Sequence, residues 1–365
     1  MLYNYIRPLP LVLVPTLAQA DVPSVVTDIA PVQSIAAQIM DGVGTPTLLL
    51  APRLDPHSFA VRPSQARALS QADAVFWIGP DLTPGLEDAL AGLSTETSIF
   101  GLLELPETKV IPFVDVMDGH HDDHDDHHDD DHGDEHGDEH DDDHKDDHGD
   151  EHDHDEDHKD DHDEHGDDHG DEHGHKDDHD DEHGDDHAGH DDHDDHDHGE
   201  FDPHAWLSPE NAITWGGVIA ATLSNLDPEN APTYQANFET LSAEVTAASN
   251  RVTAIVDAES TPPLVVVHDA YGYLVDELGL ELIGAVTLSD ATSPGARRIA
   301  ELQETVSGTA AFCAISSPGE ATDLLVTATG VSEDEIVSLD VFGDGVMTYA
   351  ELYGALGDSL TGCQR

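Results

Sequence analysis

Residues 118–200 are built almost wholly from His, Asp, Glu and Gly, without one large apolar side chain. Such a stretch cannot bury enough apolar surface to offset its conformational entropy, so it is expected to be a disordered insertion. Any core this chain forms must come from the segments on either side. Of the chain's 28 histidines, 25 lie in the tract, from His120 to His198; the other three are His57, His204 and His268. His120, His121, His124, His127, His128, His132, His136, His140, His144, His148 and His152 recur every few residues among carboxylates. They read as many weak, interchangeable metal ligands. No His in the tract is followed by Glu, so no zinc-protease helix is hidden there.

The tract holds 44 acidic residues against three lysines, a net of −41, and the rest of the chain holds 36 against nine basic residues, a net of −27. Flanks that are acidic in their own right argue against nucleic acid or an anionic membrane as partner. The first twenty residues carry Arg7, a short apolar run from Leu9 to Leu17 and a small-residue end at Ala18-Gln19-Ala20. This reads as a signal peptide (1–20) cleaved after Ala20, and it places the mature chain in the periplasm, not inserted in the membrane. Two cysteines in an exported chain, Cys313 and Cys363, read as one disulfide tying the C-terminal tail to an interior strand.

The flanks alternate short apolar strands with helices. VPSVVTDI, TPTLLL, AVFWIG and KVIPFVDV read as strands of a first lobe, with helices over APVQSIAAQIM and PSQARALSQA. From Tyr234 through Phe238, Leu241, Val245, Ala248 and Val252 to Ile255 the apolar spacing alternates between four and three. That is one long amphipathic helix, expected at 229–258 as a connector between two lobes. PLVVVH, LELIGAV, AAFCAISS and EIVSLDVFG then repeat the rhythm. The pattern predicts an α/β protein of two lobes, each a parallel sheet flanked by helices: 21–228, carrying the insertion at 118–200, and 262–365. Both ends of the tract are expected at the first lobe.

His57, His204 and His268 each follow an apolar strand or open a helix, at the carboxyl edge where open α/β sheets bind ligands. Two fall in the first lobe and one in the second, so they could meet in the cleft between them. Three neutral imidazoles suit Zn²⁺, with water or a carboxylate as fourth ligand. Asp340, at the end of EIVSLD, has an equivalent position, although an acid there also serves as a turn or helix cap. Asp340, Asp344, Gly345 and Glu351 match part of an EF-hand loop. Phe342 fills one of its ligand positions, and the segment before it reads as a strand rather than a helix.

The segments His57-Ser58-Phe59, Arg62-Pro63-Ser64, Val75-Phe76-Trp77-Ile78-Gly79-Pro80, His204-Ala205-Trp206-Leu207-Ser208-Pro209, His268-Asp269-Ala270-Tyr271-Gly272-Tyr273 and Leu339-Asp340 resemble the solute-binding proteins of zinc and manganese ABC importers. The likeness is greatest to the periplasmic zinc-specific members (ZnuA type) and covers essentially all of 21–365. It implies that His57, His204 and His268 are Zn²⁺ ligands, with Asp340 at the family's variable fourth position. It also implies a metal in the inter-lobe cleft, a Cys313–Cys363 disulfide, and a monomer that hands Zn²⁺ to a permease in the inner membrane. Manganese members carry Glu where this chain has His268, and oxygen suits Mn²⁺ better than a third imidazole does. The chain departs from the family at Val341-Phe342-Gly343, where a Pro-led turn is usual. The leading reading is a zinc receptor rather than an enzyme, with the tract as scavenger or sensor. A zinc buffer without a transport role and a manganese receptor are the alternatives.

Overall fold

The computed structural model describes residues 22–51, 54–115, 117, 201–288, 293–343 and 347–364. The signal segment and the tract, with all its histidines, lie outside these residues.

Two four-stranded parallel sheets carry the described part of the chain. The first contains β1 (Val25–Thr27), β2 (Thr47–Leu48), β3 (Ala74–Trp77) and β4 (Ser98–Gly101), in the order β2-β1-β3-β4. The second contains β5 (Leu264–His268), β6 (Leu282–Thr287), β7 (Cys313–Ser316) and β8 (Val337–Ser338), in the order β6-β5-β7-β8. The inner strands β1, β3, β5 and β7 are buried along their whole length. That is why they read as continuous apolar runs rather than alternating ones. The flanking helices are α1 (Ala30–Ile39), α2 (Pro63–Ser70), α3 (Glu87–Ala91), α4 (Pro209–Leu226), α5 (Ala231–Ile255), α6 (Gly272–Leu278), α7 (Ala296–Gly308), α8 (Asp323–Thr329) and α9 (Tyr349–Leu360).

Helix α5 connects the two α/β halves along the chain. Tyr234, Leu241, Val245 and Val252 are buried, while Phe238 and Ile255 pack at the edge of the core. One face of the helix therefore meets the core, as its 3-4 spacing requires. At Gly216 on α4 and Gly357 on α9 a Cβ would collide with Leu241 and Val252, so glycine lets both helices lie close against α5. Cys313 at the start of β7 is disulfide-bonded to Cys363, with their Cα atoms 5.5 Å apart. Next to it, Gln364 Nε2 donates to the Ile255 carbonyl (3.0 Å), holding the tail on α5.

The segment KVIPFVDV is not a strand. The fourth strand of the first sheet is instead Ser98–Gly101, parallel to β3. Among the described residues, 109–115 and 117 make one isolated antiparallel bridge, Pro112 to Phe201. Pro112 supplies no N–H to a ladder, and the segment is held by side chains from both lobes. Met117, the last described residue before the tract, is buried against Val265, Val267, Val286 and Leu302 of the second lobe. The expectation that both tract ends sit at the first lobe is corrected accordingly.

Asp28, at the carboxyl end of β1, is fully buried and accepts from the backbone N–H groups of Ile29 (2.7 Å) and Ile78 (2.8 Å), joining β1 to β3. Burial outweighs those two donors and pushes its carboxyl up to about 7. A carboxyl with a higher pKa folded than unfolded keeps its proton in the native state after the unfolded chain has lost it. Its contribution is therefore complete below about pH 4 and is lost as pH rises towards 7, by at most about 1.4 kcal/mol per pH unit. Urea unfolding of the zinc-free protein and its Asp28→Asn variant should show the wild type losing ground to the variant across that window. A pH-independent difference would refute this account of Asp28.

Candidate metal centre

Each of the three isolated histidines is delivered by a different local structure. His57 lies in the loop between β2 and α2, where its backbone N–H donates to Asp55 Oδ1 (2.9 Å). His204 caps a single 3₁₀ turn, Ala205–Leu207, ahead of α4. Ser208 then opens α4, its hydroxyl accepting from Asn211 N (3.5 Å) with Pro209 in the first turn. His268 is the last residue of β5.

The fold brings the three rings together. Ring centroids are 5.9 Å apart for His57 and His204, 5.7 Å for His57 and His268, and 5.0 Å for His204 and His268. One ring nitrogen from each lies within 4.8 Å of the others, and every Nε2 is buried. A tetrahedral zinc with Zn–N near 2.0–2.1 Å needs donors about 3.4 Å apart. Side-chain shifts of about an ångström therefore gather them around one ion.

Asp202 is the residue that sequence reasoning missed. Its Oδ1 accepts from His204 Nδ1 (2.7 Å) and from the His204 backbone N–H (2.9 Å). A carboxylate on Nδ1 fixes the tautomer that leaves Nε2 with its lone pair for a metal, and makes that nitrogen more basic. Asp202 is itself 5% exposed. Its backbone N–H donates to the Ile111 carbonyl (3.0 Å), and its own carbonyl accepts from the Tyr273 hydroxyl (3.0 Å). Glycine is required at Gly272, where a Cβ would strike Asp202 Oδ2. The Asp-Pro-His order was the available signal, since an acid two residues before a ligand can turn back onto its ring.

Trp206, fully buried, stands edge-on to His204 (5.2 Å between centroids) and against Phe342 (5.2 Å). Its Nε1 donates to the Val341 carbonyl (2.8 Å), and its own carbonyl accepts from the Tyr349 hydroxyl (2.7 Å). The indole thus joins His204 to the turn after β8, and the main chain of the same residue is tied to α9.

Asp340 stands outside the trio. Its Oδ1 accepts from the backbone N–H groups of Phe342 (3.2 Å) and Gly343 (2.8 Å), closing the turn. Among the described residues the group able to share one ion is His57, His204 and His268. Glu351 is likewise turned to its own helix start, accepting from Thr348 N (2.9 Å) in a capping box. Beside the histidines lies a cavity of about 380 Å³, lined by His204, His268, Asp55, Thr287, Glu320 and Phe342 among others. Its described lining holds carboxylates and no lysine or arginine, a field that favours a cation. Behind the site, burial and the charge of Asp202 push Asp269 up to about 7.

The chain matches, over residues 25–363, the protein family described as ZnuA, zinc-uptake complex component A, periplasmic. It is 39% identical over 369 residues to the high-affinity zinc uptake system protein ZnuA of Paracoccus denitrificans, covering 98% of each chain. It is 30% identical over 343 residues to the protein of the same name from Brucella abortus, covering 93% of this chain and 91% of that one. Among solved structures it superposes on a crystal structure of ZnuA, with a TM-score of 0.62, 16% identity and coverage of 94% and 99%. It also superposes on the periplasmic zinc-binding protein TroA of Treponema pallidum, with a TM-score of 0.63, 16% identity and coverage of 93% and 98%. Those two likenesses show the shared two-lobed α/β fold. On the family match and the two relatives, this chain belongs to the ZnuA family of periplasmic zinc-uptake components.

Proposed function

We propose that this protein is a periplasmic receptor that captures Zn²⁺ with His57, His204 and His268 and presents it to the permease of an ABC importer in the inner membrane. The observation that carries the reading is the convergence of those three imidazoles, from a loop, a 3₁₀ turn and a strand end, in a buried pocket of a ZnuA-family chain. Three nitrogen donors favour Zn²⁺ over Mn²⁺, which takes oxygen ligands more readily. Asp340 is already engaged by its own turn, so water entering from the adjacent cavity fits the fourth position better. Nothing is transformed in this cycle: the ion is bound, carried and released, as befits a family of solute-binding receptors.

The same reading assigns 1–20 to export, with cleavage after Ala20, and divides the mature monomer into lobes at 21–228 and 262–365 around the 229–258 connector. No helix among the described residues is long and apolar enough to cross a membrane. Residues 118–200 serve as an auxiliary zinc scavenger or sensor beside the buried site.

Calorimetric titration of the mature chain with zinc and manganese, with and without 118–200, tests the division of labour. Deleting the tract should leave one tight zinc site and remove the many weaker ones. Loss of the tight site together with the tract would mean that the three isolated histidines are not the receptor site, and would favour a zinc buffer.

A further inference from the structure

Residues 109–115, ahead of the tract, form a strap stitched alternately to the two lobes. On the first-lobe side, Asn211 of α4 accepts from Lys109 N (2.8 Å) and donates to the Lys109 carbonyl (2.9 Å). On the second-lobe side, Lys109 Nζ pairs with Asp276 of α6 (2.8 Å), and the Ile111 N–H donates to the Tyr273 hydroxyl (3.3 Å). At its far end Asp115 meets Arg298 of α7 in a two-pronged pair, Nη1 to Oδ2 at 2.5 Å and Nη2 to Oδ1 at 3.2 Å. The partners' side chains are only 13% and 15% exposed. Arg298 Nε donates in addition to the Ala285 carbonyl of β6 (3.0 Å), and Asp115 Oδ1 accepts from Met117 N (3.0 Å).

The clasp is connected to the metal centre. The strap pairs with Phe201 through Pro112, and the Ile111 carbonyl takes the Asp202 N–H. Asp202 in turn holds His204 at Nδ1. A chain of contacts therefore runs from Arg298 in the second lobe, through Asp115 and the strap, to the carboxylate that orients a first-lobe histidine. The partly desolvated, two-pronged geometry is of the kind that fixes position as well as charge, which a lysine reproduces incompletely.

We propose that Arg298 and Asp115 are positioning residues for zinc capture, an inter-lobe clasp that holds Asp202 and His204 in their binding geometry and so slows release of the ion. The inference rests on the receptor reading above.

It is tested on the full-length mature protein by following zinc release into excess chelator, where the buried site is the slow phase that His57→Ala abolishes. Arg298→Ala leaves Asp115 buried without its partner and can misfold, so the paired variant Asp115→Asn/Arg298→Met, which removes both charges, is measured beside it. The expected result is release at least about tenfold faster in the paired variant, within the range found for outer partners of metal ligands. Arg298→Lys should stay closer to wild type. The His204 Nδ1 proton, seen by NMR as a carboxylate-bonded signal in wild type, should broaden or vanish in the paired variant. A folded paired variant releasing zinc within twofold of the wild-type rate overturns the proposal, as does faster release with that proton signal unchanged. If the wild type shows no slow phase that His57→Ala removes, the receptor reading itself fails, which is a separable outcome.

Discussion

Substituting His57 with alanine is expected to lower affinity at the tight zinc site by more than about a hundredfold, beyond what losing an outer-shell partner costs. The change leaves two imidazoles, a set that holds zinc poorly without a third protein donor. His57 is half-buried in a loop rather than part of the core, so the folded structure should survive and the loss should be one of binding. His140→Ala, which removes one of the 25 tract histidines, should leave the tight site untouched. Competition with a chelator of known affinity reads both. A His57→Ala protein that keeps its tight site within about tenfold would show that the ring cluster is not the capture site.

The second large effect is expected at Trp206. Removing this fully buried ring leaves a cavity beside His204, and Trp206→Ala should cost about 3–5 kcal/mol of folding stability. The same change deprives the Val341 carbonyl of its 2.8 Å donor and frees the His204 ring on its indole side, so zinc affinity should fall with stability. Trp206→Phe keeps an aromatic wall but not the N–H, and should cost about 1–3 kcal/mol, the range for an abandoned buried hydrogen-bonding group. Denaturant unfolding of the zinc-free proteins measures both. A loss below about 1 kcal/mol in Trp206→Ala would mean that the neighbouring side chains close the gap without difficulty.

The order of strands and helices was largely legible because inner strands of parallel sheets are apolar on both faces. The long helix was legible because one of its faces meets the core. The three histidines could be singled out for a plain chemical reason: outside the tract no others exist, and each follows a strand or opens a helix. What could not be read was how side chains turn once there. Asp340 sits at a strand end as expected, yet the turn Val341-Phe342-Gly343 offers its carboxylate two backbone donors, and a local ring of that kind leaves no trace in spacing. Asp202 is the mirror case, an acid with no periodic signal that nevertheless fixes His204. The misread segment KVIPFVDV failed for a related reason. Its continuous apolar run mimics a buried strand, but Pro112 and the pull of Tyr273 and Arg298 make it a tie between lobes rather than a member of either sheet. The shorter Ser98–Gly101, with less apolar content, took the strand position beside β3.

The distribution of the three imidazoles over the fold has a further consequence. His57 leaves the first sheet, His268 ends a strand of the second, and His204 waits on a turn whose anchor, Trp206, is bonded to the tail end of the chain at Val341 and Tyr349. All three imidazoles are in the chain by residue 268, but a fragment that stops before the last helix lacks the Tyr349 hydroxyl that holds the Trp206 carbonyl. A chain clipped ahead of α9 would keep the three rings and lose one of the contacts that steady the turn beneath His204. The geometry of a pocket whose rings come from early and middle segments is thus finished by contacts that the chain makes last.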